Sequence, residues 1–232
     1  MEHPRVSGRD LLKALGAWLV VGGGIYGLLI LFGRVLARRF YLDHVGDVEA
    51  LFLLAAYVAL FAALWWAFGG WAGLRDRLGF RFTSAGHLLA ALPLWLLTVV
   101  VGAAVSVPFS RLFGPPQSNA SALVRAAHDP VATTLLVAGV VVVAPFCEEL
   151  LFRGALFGWL RGRIAVVLAA PVSAAIFAAA HVFPPGFVLL FVFGLSAALL
   201  YERTGSTLNS FVMHACQNTA AVVALYTGLA GR

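Results

Sequence analysis

Charged residues are scarce in this chain, and their scarcity excludes most soluble folds. Of the 232 residues, 11% are charged and 62% are hydrophobic, whereas a soluble domain averages about 25% charged residues. A mean hydropathy of +0.94 also excludes disorder and coiled coil. Cysteine occurs twice, and because Cys147 and Cys216 lie inside apolar segments we expect free thiols rather than a disulfide. The composition predicts a polytopic membrane protein.

Lysine is nearly absent, and this bears on the binding partners. Lys13 is the only lysine, and the net charge of +6 comes mostly from arginines between apolar runs. This placement indicates anchoring at a lipid surface rather than binding to nucleic acid. We therefore expect a multi-pass integral membrane protein, and the arginine- and alanine-rich composition favours a prokaryotic inner membrane.

Long apolar runs predict transmembrane helices rather than strands of a barrel. We expect an all-α transmembrane bundle of about seven to eight helices. The region 131–160 allows one long helix or two shorter ones, with Pro145 as the natural break. The predicted spans are residues 12–33, 48–70, 86–108, 131–147, 164–182, 186–201 and 207–229.

One sizeable polar stretch, residues 109–130, divides the chain and predicts a loop because Gly114 and two prolines begin its polar part. We therefore expect N-terminal transmembrane helices over residues 1–110, a loop over 111–130 and a helical core over 131–232. Ionisable residues inside apolar runs are almost confined to the last of these parts. We expect the chemistry to lie after about residue 130.

Three charged residues lie within one apolar run, namely Glu148, Glu149 and Arg153. Each such charge costs roughly 2.5 to 3.5 kcal/mol at a bilayer-buried position on insertion scales. On a helix, Glu149 precedes Arg153 by four residues, which favours an ion pair. Glu148 projects about 100° away and is left without a partner. An unpaired buried carboxylate is a candidate general base.

Two later apolar runs each carry a histidine. His181 follows Phe177 by four residues on one helical face, and His214 precedes Asn218 by four. We interpret Phe177 as a packing residue beside the site. Carboxylates, imidazoles and an amide together can activate water and stabilise an oxyanion. They can also bind zinc, with Glu148, His181 and His214 as ligands from separate helices.

The polar residues form three motifs that resemble those of the CAAX-protease and bacteriocin-processing intramembrane proteases, called CPBP or Abi proteins. The family motifs are E-E-x-x-x-R, F-x-x-x-H and H-x-x-x-N, seen here at residues 148–153, 177–181 and 214–218. Each motif alone is weak. Their order, spacing and placement on three successive apolar segments carry the resemblance, which covers about residues 130–220.

The resemblance implies a multi-helix intramembrane endopeptidase. Glu148 would be the general base, positioned with His181 to activate the attacking water. His214 and Asn218 would stabilise the tetrahedral oxyanion. The expected substrate is a peptide or a membrane-protein segment in the bilayer.

The same resemblance assigns supporting roles and leaves the cofactor open. Glu149 and Arg153 would hold the glutamate helix in register. A zinc-dependent metalloprotease and a metal-free glutamate-dependent protease are both compatible with the family. The residues 131–232 would form the CPBP-like catalytic core.

Two other functional classes fit the same buried residues. A catalytically silent member of the family would act as a scaffold or binding subunit for another membrane protein. A transporter would use the buried acids and imidazoles as a proton or cation relay. The second class fits less well because the chain shows no internal repeat.

Overall fold

The structure is a computed structural model that describes residues 6–114, 129–181 and 184–228. Within these ranges the chain forms helices and no strands, which confirms the predicted all-α bundle. The nine helices of this part are α1 (Gly8–Leu31), α2 (Arg38–Asp43), α3 (Val45–Phe68), α4 (Gly70–Asp76), α5 (Ala85–Phe113), α6 (Pro130–Arg161), α7 (Val166–Ala180), α8 (Pro184–Thr204) and α9 (Thr207–Tyr226).

Polar residues at helix termini determine where several long helices begin. The side chains of Ser7 and Ser84 each accept a hydrogen bond from a backbone N–H three residues further on. Asp129 accepts from two backbone N–H groups, and Pro130 occupies the first turn of α6, where its missing N–H costs nothing. Gly69, at φ 88°, ends α3 in the left-handed conformation that glycine adopts without strain.

Helix α5 extends further than the sequence predicted. Residues 109–113 were expected to belong to the polar loop, but α5 continues to Phe113. The hydroxyl of Ser110 donates to the Val107 carbonyl, and Arg111 lies in the last turn, where a positive charge is favoured. The helix ends at Gly114, with φ 86°, where the loop signal starts. The rest of the predicted loop, residues 115–128, lies outside the described residues.

Helix α6 is one continuous helix, which answers the question left open at Pro145. Two π-helical segments interrupt its α-helical geometry, Gly139–Val143 and Leu150–Phe157. At the end of the first segment, the N–H of Ala144 bonds to the Gly139 carbonyl five residues back. Pro145 lacks an N–H, so the widened turn before it accommodates the proline without a break.

Five helices are long and apolar enough to cross a membrane, by length and composition, among the described residues. Two of the seven predicted spans do not reach this standard. Helix α7 has only 15 residues, and α9 carries Asn209, Ser210, His214, Gln217 and Asn218, which lower its hydropathy. The candidates are Gly8–Leu31, Val45–Phe68, Ala85–Leu112, Pro130–Arg161 and Gly186–Thr204.

The packing of the helices places a cavity between the two parts of the chain. Helix α8 packs against α5 and α7, α9 packs against α5 and α6, and α1 packs against α3. Helix α3 also contacts α6, so the α1–α3 pair covers one side of the helix that carries both glutamates.

A close contact between two turns fixes the start of α9, the helix that carries His214. Gly79 has φ +73°, and a Cβ at this position would lie 2.7 Å from the Gly205 carbonyl oxygen. The backbone N–H of Thr207 donates to the Gly79 carbonyl at 2.9 Å, and the Ser206 hydroxyl donates to the Arg81 carbonyl at 2.6 Å. These bonds tie the N-terminal half to the beginning of α9.

Candidate active site

Glu148 lies at the centre of a buried polar cluster and is 7% exposed. Its Oε2 atom is 3.1 Å from Nε2 of His181 and 3.8 Å from Nε2 of His214. Its Oε1 atom accepts a hydrogen bond from the phenol of Tyr57. The prediction that Glu148 would be left without a partner is therefore wrong, because α3 and α7 supply partners that local spacing on α6 does not reveal.

The His181 ring is oriented by its own helix. Its Nδ1 atom lies 2.9 Å from the Phe177 carbonyl oxygen, which can only accept, so Nδ1 carries a proton. The 3.1 Å contact between Nε2 and Glu148 then holds one more proton between imidazole and carboxylate. Glu148 and His181 thus form a coupled pair that can exchange a proton.

Glu149 faces a different set of partners from Glu148, as the helical geometry predicts. Its Oε1 atom is 3.0 Å from Nη1 of Arg153, which confirms the expected ion pair, and 2.8 Å from Nδ1 of His214. The Arg153 side chain is 1% exposed, and its Nη2 donates to the Gly194 carbonyl at 3.4 Å. The pair links α6 with α8 and α9 in a water-poor interior.

Phe177 packs against the charged groups, as the sequence predicted. The Arg153 guanidinium lies 4.4 Å from the centroid of the Phe177 ring, within the range of a cation–π contact. The same ring lies 4.4 Å from the ring of His181 and 5.7 Å from that of His214. Phe177 therefore excludes water from the ion pair and restricts the orientation of both imidazoles.

Asn218 lies beside His214 on α9 but bonds to the backbone of α6. Its Nδ2 atom donates to the Val140 carbonyl at 2.8 Å. That carbonyl lies five residues before Pro145, whose missing N–H cannot complete the π-helical bond. One of the two N–H groups of the amide thus satisfies a carbonyl that Pro145 leaves free, and the other remains for a further acceptor.

Two cavities meet at Glu148. One, of about 590 Å³, has Glu148, His181, His214 and Asn218 in its wall. The other, of about 630 Å³, also reaches Glu148 and His181 and is otherwise lined mainly by apolar residues. Both volumes fall within the range of small-molecule and peptide sites.

The two cavities follow one another along α1. Leu11, Leu15 and Trp18 line the apolar cavity, whereas Gly22 and Leu29 line the cavity with the polar cluster. From Leu11 to Leu29 the helix rises roughly 27 Å at 1.5 Å per residue. An extended peptide of roughly eight residues covers that length.

The N-terminal half contributes polar groups that the sequence interpretation missed. Tyr57 contacts Glu148 and lines both cavities. Glu49 lines the cavity of about 590 Å³ and accepts a 3.5 Å hydrogen bond from Tyr41. The expectation that the chemistry lies after residue 130 is thus incomplete. The available signal was the place of Tyr57 in the middle of an apolar run, because tyrosine in membrane helices is enriched at the interfaces.

The donor atoms of the cluster suit zinc, although the described residues contain no grouping of three histidine, cysteine, aspartate or glutamate side chains arranged to hold a metal ion. Nδ1 of His181 and Nδ1 of His214 both contact an oxygen acceptor, which directs each Nε2 toward Glu148. Such outer contacts are typical of zinc-binding histidines.

Both cysteines have free thiols, as predicted, and Cys147 is buried whereas Cys216 is half-buried. Cys147 donates to the Tyr57 carbonyl across a 3.5 Å contact, which joins α6 to α3 beside the cluster. In the part of the chain that the structure describes, neither thiol forms a hydrogen bond with His181 or His214. The geometry therefore does not suggest a cysteine nucleophile.

Residues 130–220 match the model of a known family, described as type II CAAX prenyl endopeptidase Rce1-like. The match covers all three motifs and confirms the resemblance to the CAAX-protease family over this segment. No curated protein and no solved structure matches the chain.

Proposed function

We propose that the protein is an intramembrane endopeptidase that hydrolyses a peptide bond in a peptide or membrane-protein substrate. The observation that carries the proposal is the Glu148–His181 pair at the meeting point of two cavities. The family match over residues 130–220 supports protease chemistry, and the five apolar helices support a multi-pass membrane protein. Residues 131–232 then form the catalytic core, in a prokaryotic inner membrane.

In the proposed reaction, Glu148 acts as general base on a water molecule in the cavity. The water proton passes to the carboxylate while the oxygen attacks the scissile carbonyl carbon. The tetrahedral intermediate then collapses, the C–N bond breaks, and the leaving amine takes the proton from Glu148. His181 orients Glu148 and shares its proton during these steps.

The oxyanion of the intermediate needs hydrogen-bond donors on the opposite side of the carbonyl carbon. We assign this role to His214 and Asn218. The amide of Asn218 has one N–H available beyond its bond to Val140. Glu149 and Arg153 hold α6 and α9 together, so their role is to keep these donors in place.

A zinc ion, if the protein uses one, would be held by Glu148, His181 and His214 and would polarise the attacking water or the carbonyl. The Nε2 atoms of both rings face the Glu148 carboxylate, and imidazole nitrogen and carboxylate oxygen are donor types that zinc accepts. The role of His214 differs in the metal-free reaction, because an Nε2 atom bound to zinc carries no proton that could be donated to the oxyanion.

The arrangement of the two cavities also supports cleavage within a substrate chain rather than at its end, which is endopeptidase activity. Because they follow one another along α1 with Glu148 between them, a substrate chain has room on both sides of the scissile bond. The arm along Leu11, Leu15 and Trp18 is apolar and suits an apolar stretch of the substrate.

The test is cleavage of a fluorogenic peptide library by purified protein in lipid, with zinc content measured on the same samples. Glu148→Gln should lower kcat by about 10²- to 10⁴-fold, the usual contribution of a general base. Glu49→Gln is the matched control, because it removes a carboxylate from the same cavity without touching Glu148. Cys147→Ala with Cys216→Ala should stay active.

The outcomes separate the functional classes. Cleavage that depends on Glu148 in zinc-free protein supports the metal-free reaction, and stoichiometric zinc that is lost with His181→Ala supports a metalloprotease. Absence of cleavage in folded wild type would contradict the proposal. A cellular effect that survives Glu148→Gln would then favour the scaffold, and ion flux in sealed vesicles the transporter.

A further inference from the structure

We propose that Tyr57 is the positioning residue of the catalytic base, an inference that rests on the proposed peptidase function. Its phenol donates a hydrogen bond to Oε1 of Glu148, while His181 contacts Oε2 of the same carboxylate. Tyr57 lies on α3, outside the matched segment 130–220. The active site is therefore incomplete without the N-terminal half of the chain.

The two contacts together define the plane of the carboxylate. Each carboxylate oxygen has two lone pairs, so Tyr57 on Oε1 and His181 on Oε2 leave one acceptor position on each atom. A water molecule bound at such a position lies in a fixed direction. Without the phenol, the carboxylate can rotate about its last bond, and the geometry for proton abstraction becomes less frequent.

A phenol suits this role better than a cation would. Arginine or lysine in the place of Tyr57 would neutralise Glu148 and weaken it as a base, as Arg153 does for the neighbouring Glu149. The neutral hydroxyl donates one hydrogen bond and leaves the charge on the carboxylate. The two adjacent glutamates thus differ in function because α3 offers one a phenol while the helix itself offers the other a guanidinium.

Contacts with α6 fix the position of the α3 backbone around Tyr57. The Cys147 thiol contacts the Tyr57 carbonyl at 3.5 Å, and Cys147 directly precedes Glu148. Leu60 and Leu64, one and two turns further along α3, are 2% and 0% exposed. Tyr57 is therefore presented from a packed part of α3 rather than from a loose lipid-facing helix, as a positioning residue requires.

The test compares Tyr57→Phe with Tyr26→Phe in the purified full chain. Tyr26 lies on α1 and lines the cavity of about 590 Å³, so its variant removes a second phenol from the same wall. Tyr57→Phe should lower kcat about 10- to 100-fold, the usual effect of losing one hydrogen bond to a charged group, and leave KM unchanged. Tyr26→Phe removes no hydrogen bond from Glu148, so any effect of this variant should appear in KM rather than in kcat.

A double-mutant cycle separates positioning from a general loss of structure. In a Glu148→Asp background the carboxylate is one methylene shorter and no longer reaches the phenol, so Tyr57→Phe should change kcat less than about threefold. An equal fall in both backgrounds would overturn the proposal, as would an unchanged kcat in Tyr57→Phe alone. If wild type itself cleaves nothing, the peptidase function fails first and the role of Tyr57 fails with it.

Discussion

Helices α1 and α6 have nearly the same hydropathy, 2.0 and 2.2, but very different surroundings. Of the most apolar window of each helix, 6% is buried in α1 and 56% in α6. Apolar side chains on α1, such as Leu19 and Val20, point outward, whereas α6 contacts the helices that carry the site. Because lipid and protein interior favour the same residues, hydropathy alone does not separate an outer wall from a central helix.

The difference lies in the polar residues. Helix α6 contains two glutamates and an arginine that are 0–7% exposed, and each has a partner on another helix. Buried charges persist only where such partners exist. A charged group inside an apolar run therefore identifies the helix at the centre of this bundle better than the length of the run does.

The largest expected effect on the difference between α1 and α6 comes from removing one buried charge from α6. Arg153→Met leaves the Glu149 carboxylate buried beside His214 without its guanidinium, and loss of one partner of a buried pair typically costs about 3–5 kcal/mol. Thermal unfolding in detergent should show a large fall in stability. Arg163→Met, at an exposed arginine, is the control and should change little. Equal stability of the two variants would contradict the buried-pair account.

Two adjacent leucines on α1 test whether one face of this helix packs specifically against the rest of the protein. Leu11 is 5% exposed and Leu12 is 71% exposed. Leu11→Ala should destabilise the protein by about 2–4 kcal/mol because it opens a cavity, whereas Leu12→Ala should stay within about 0.5 kcal/mol. The measurement is thermal unfolding of both variants under one condition. Similar values would show that α1 contributes no specific packing.

The bond between Asn218 and the Val140 carbonyl predicts a coupled effect. Asn218→Ala removes the donor and should cost about 1–3 kcal/mol of unfolding free energy. Pro145→Ala restores a backbone N–H five residues after Val140, so the same Asn218→Ala change should cost less in that background. Unfolding of the four proteins in the cycle measures the coupling. Strict additivity would mean that Pro145 does not determine the need for Asn218.

The smallest expected effect concerns the turn that joins the two halves. Gly79→Ala places a Cβ at positive φ and 2.7 Å from the Gly205 carbonyl oxygen, so we expect a loss of at least about 1–2 kcal/mol. Gly24 has open space around it within α1, and Gly24→Ala should be neutral or slightly stabilising. Unfolding midpoints of the two variants provide the comparison, and a neutral Gly79→Ala would show that the turn can relax.

Contacts within one helix were accessible from the sequence. The Glu149–Arg153 pair and the alignment of Phe177 with His181 follow from a spacing of four residues, and both occur in the structure. The convergence of the three motifs on one cluster was accessible through the family resemblance. The continuity of α6 through Pro145 was not, because it depends on π-helical turns that no local rule specified.

Contacts between the motif-bearing segment and the N-terminal half could not be predicted from the sequence. The hydrogen bond from Tyr57 to Glu148 joins residues 91 positions apart, and nothing in the apolar run around Tyr57 indicates its partner. The predicted span 164–182 is shorter in the structure, where α7 has 15 residues.

The π-helical segment at Gly139–Val143 has a consequence for the tolerance of α6 to insertions and deletions. The part before it packs on α3 through Ala132 and Leu136, and the part after it directs the glutamates toward α7 and α9. A π-helical segment holds one residue more than an α-helical segment that spans the same rotation, so loss of one residue within it would restore α-helical geometry and keep the two parts in their present relative orientation. Loss of one residue elsewhere in α6, with the π-helical segment kept, would instead rotate the two parts against each other by roughly 100°. We therefore expect single-residue deletions within α6 to be tolerated best between residues 139 and 143.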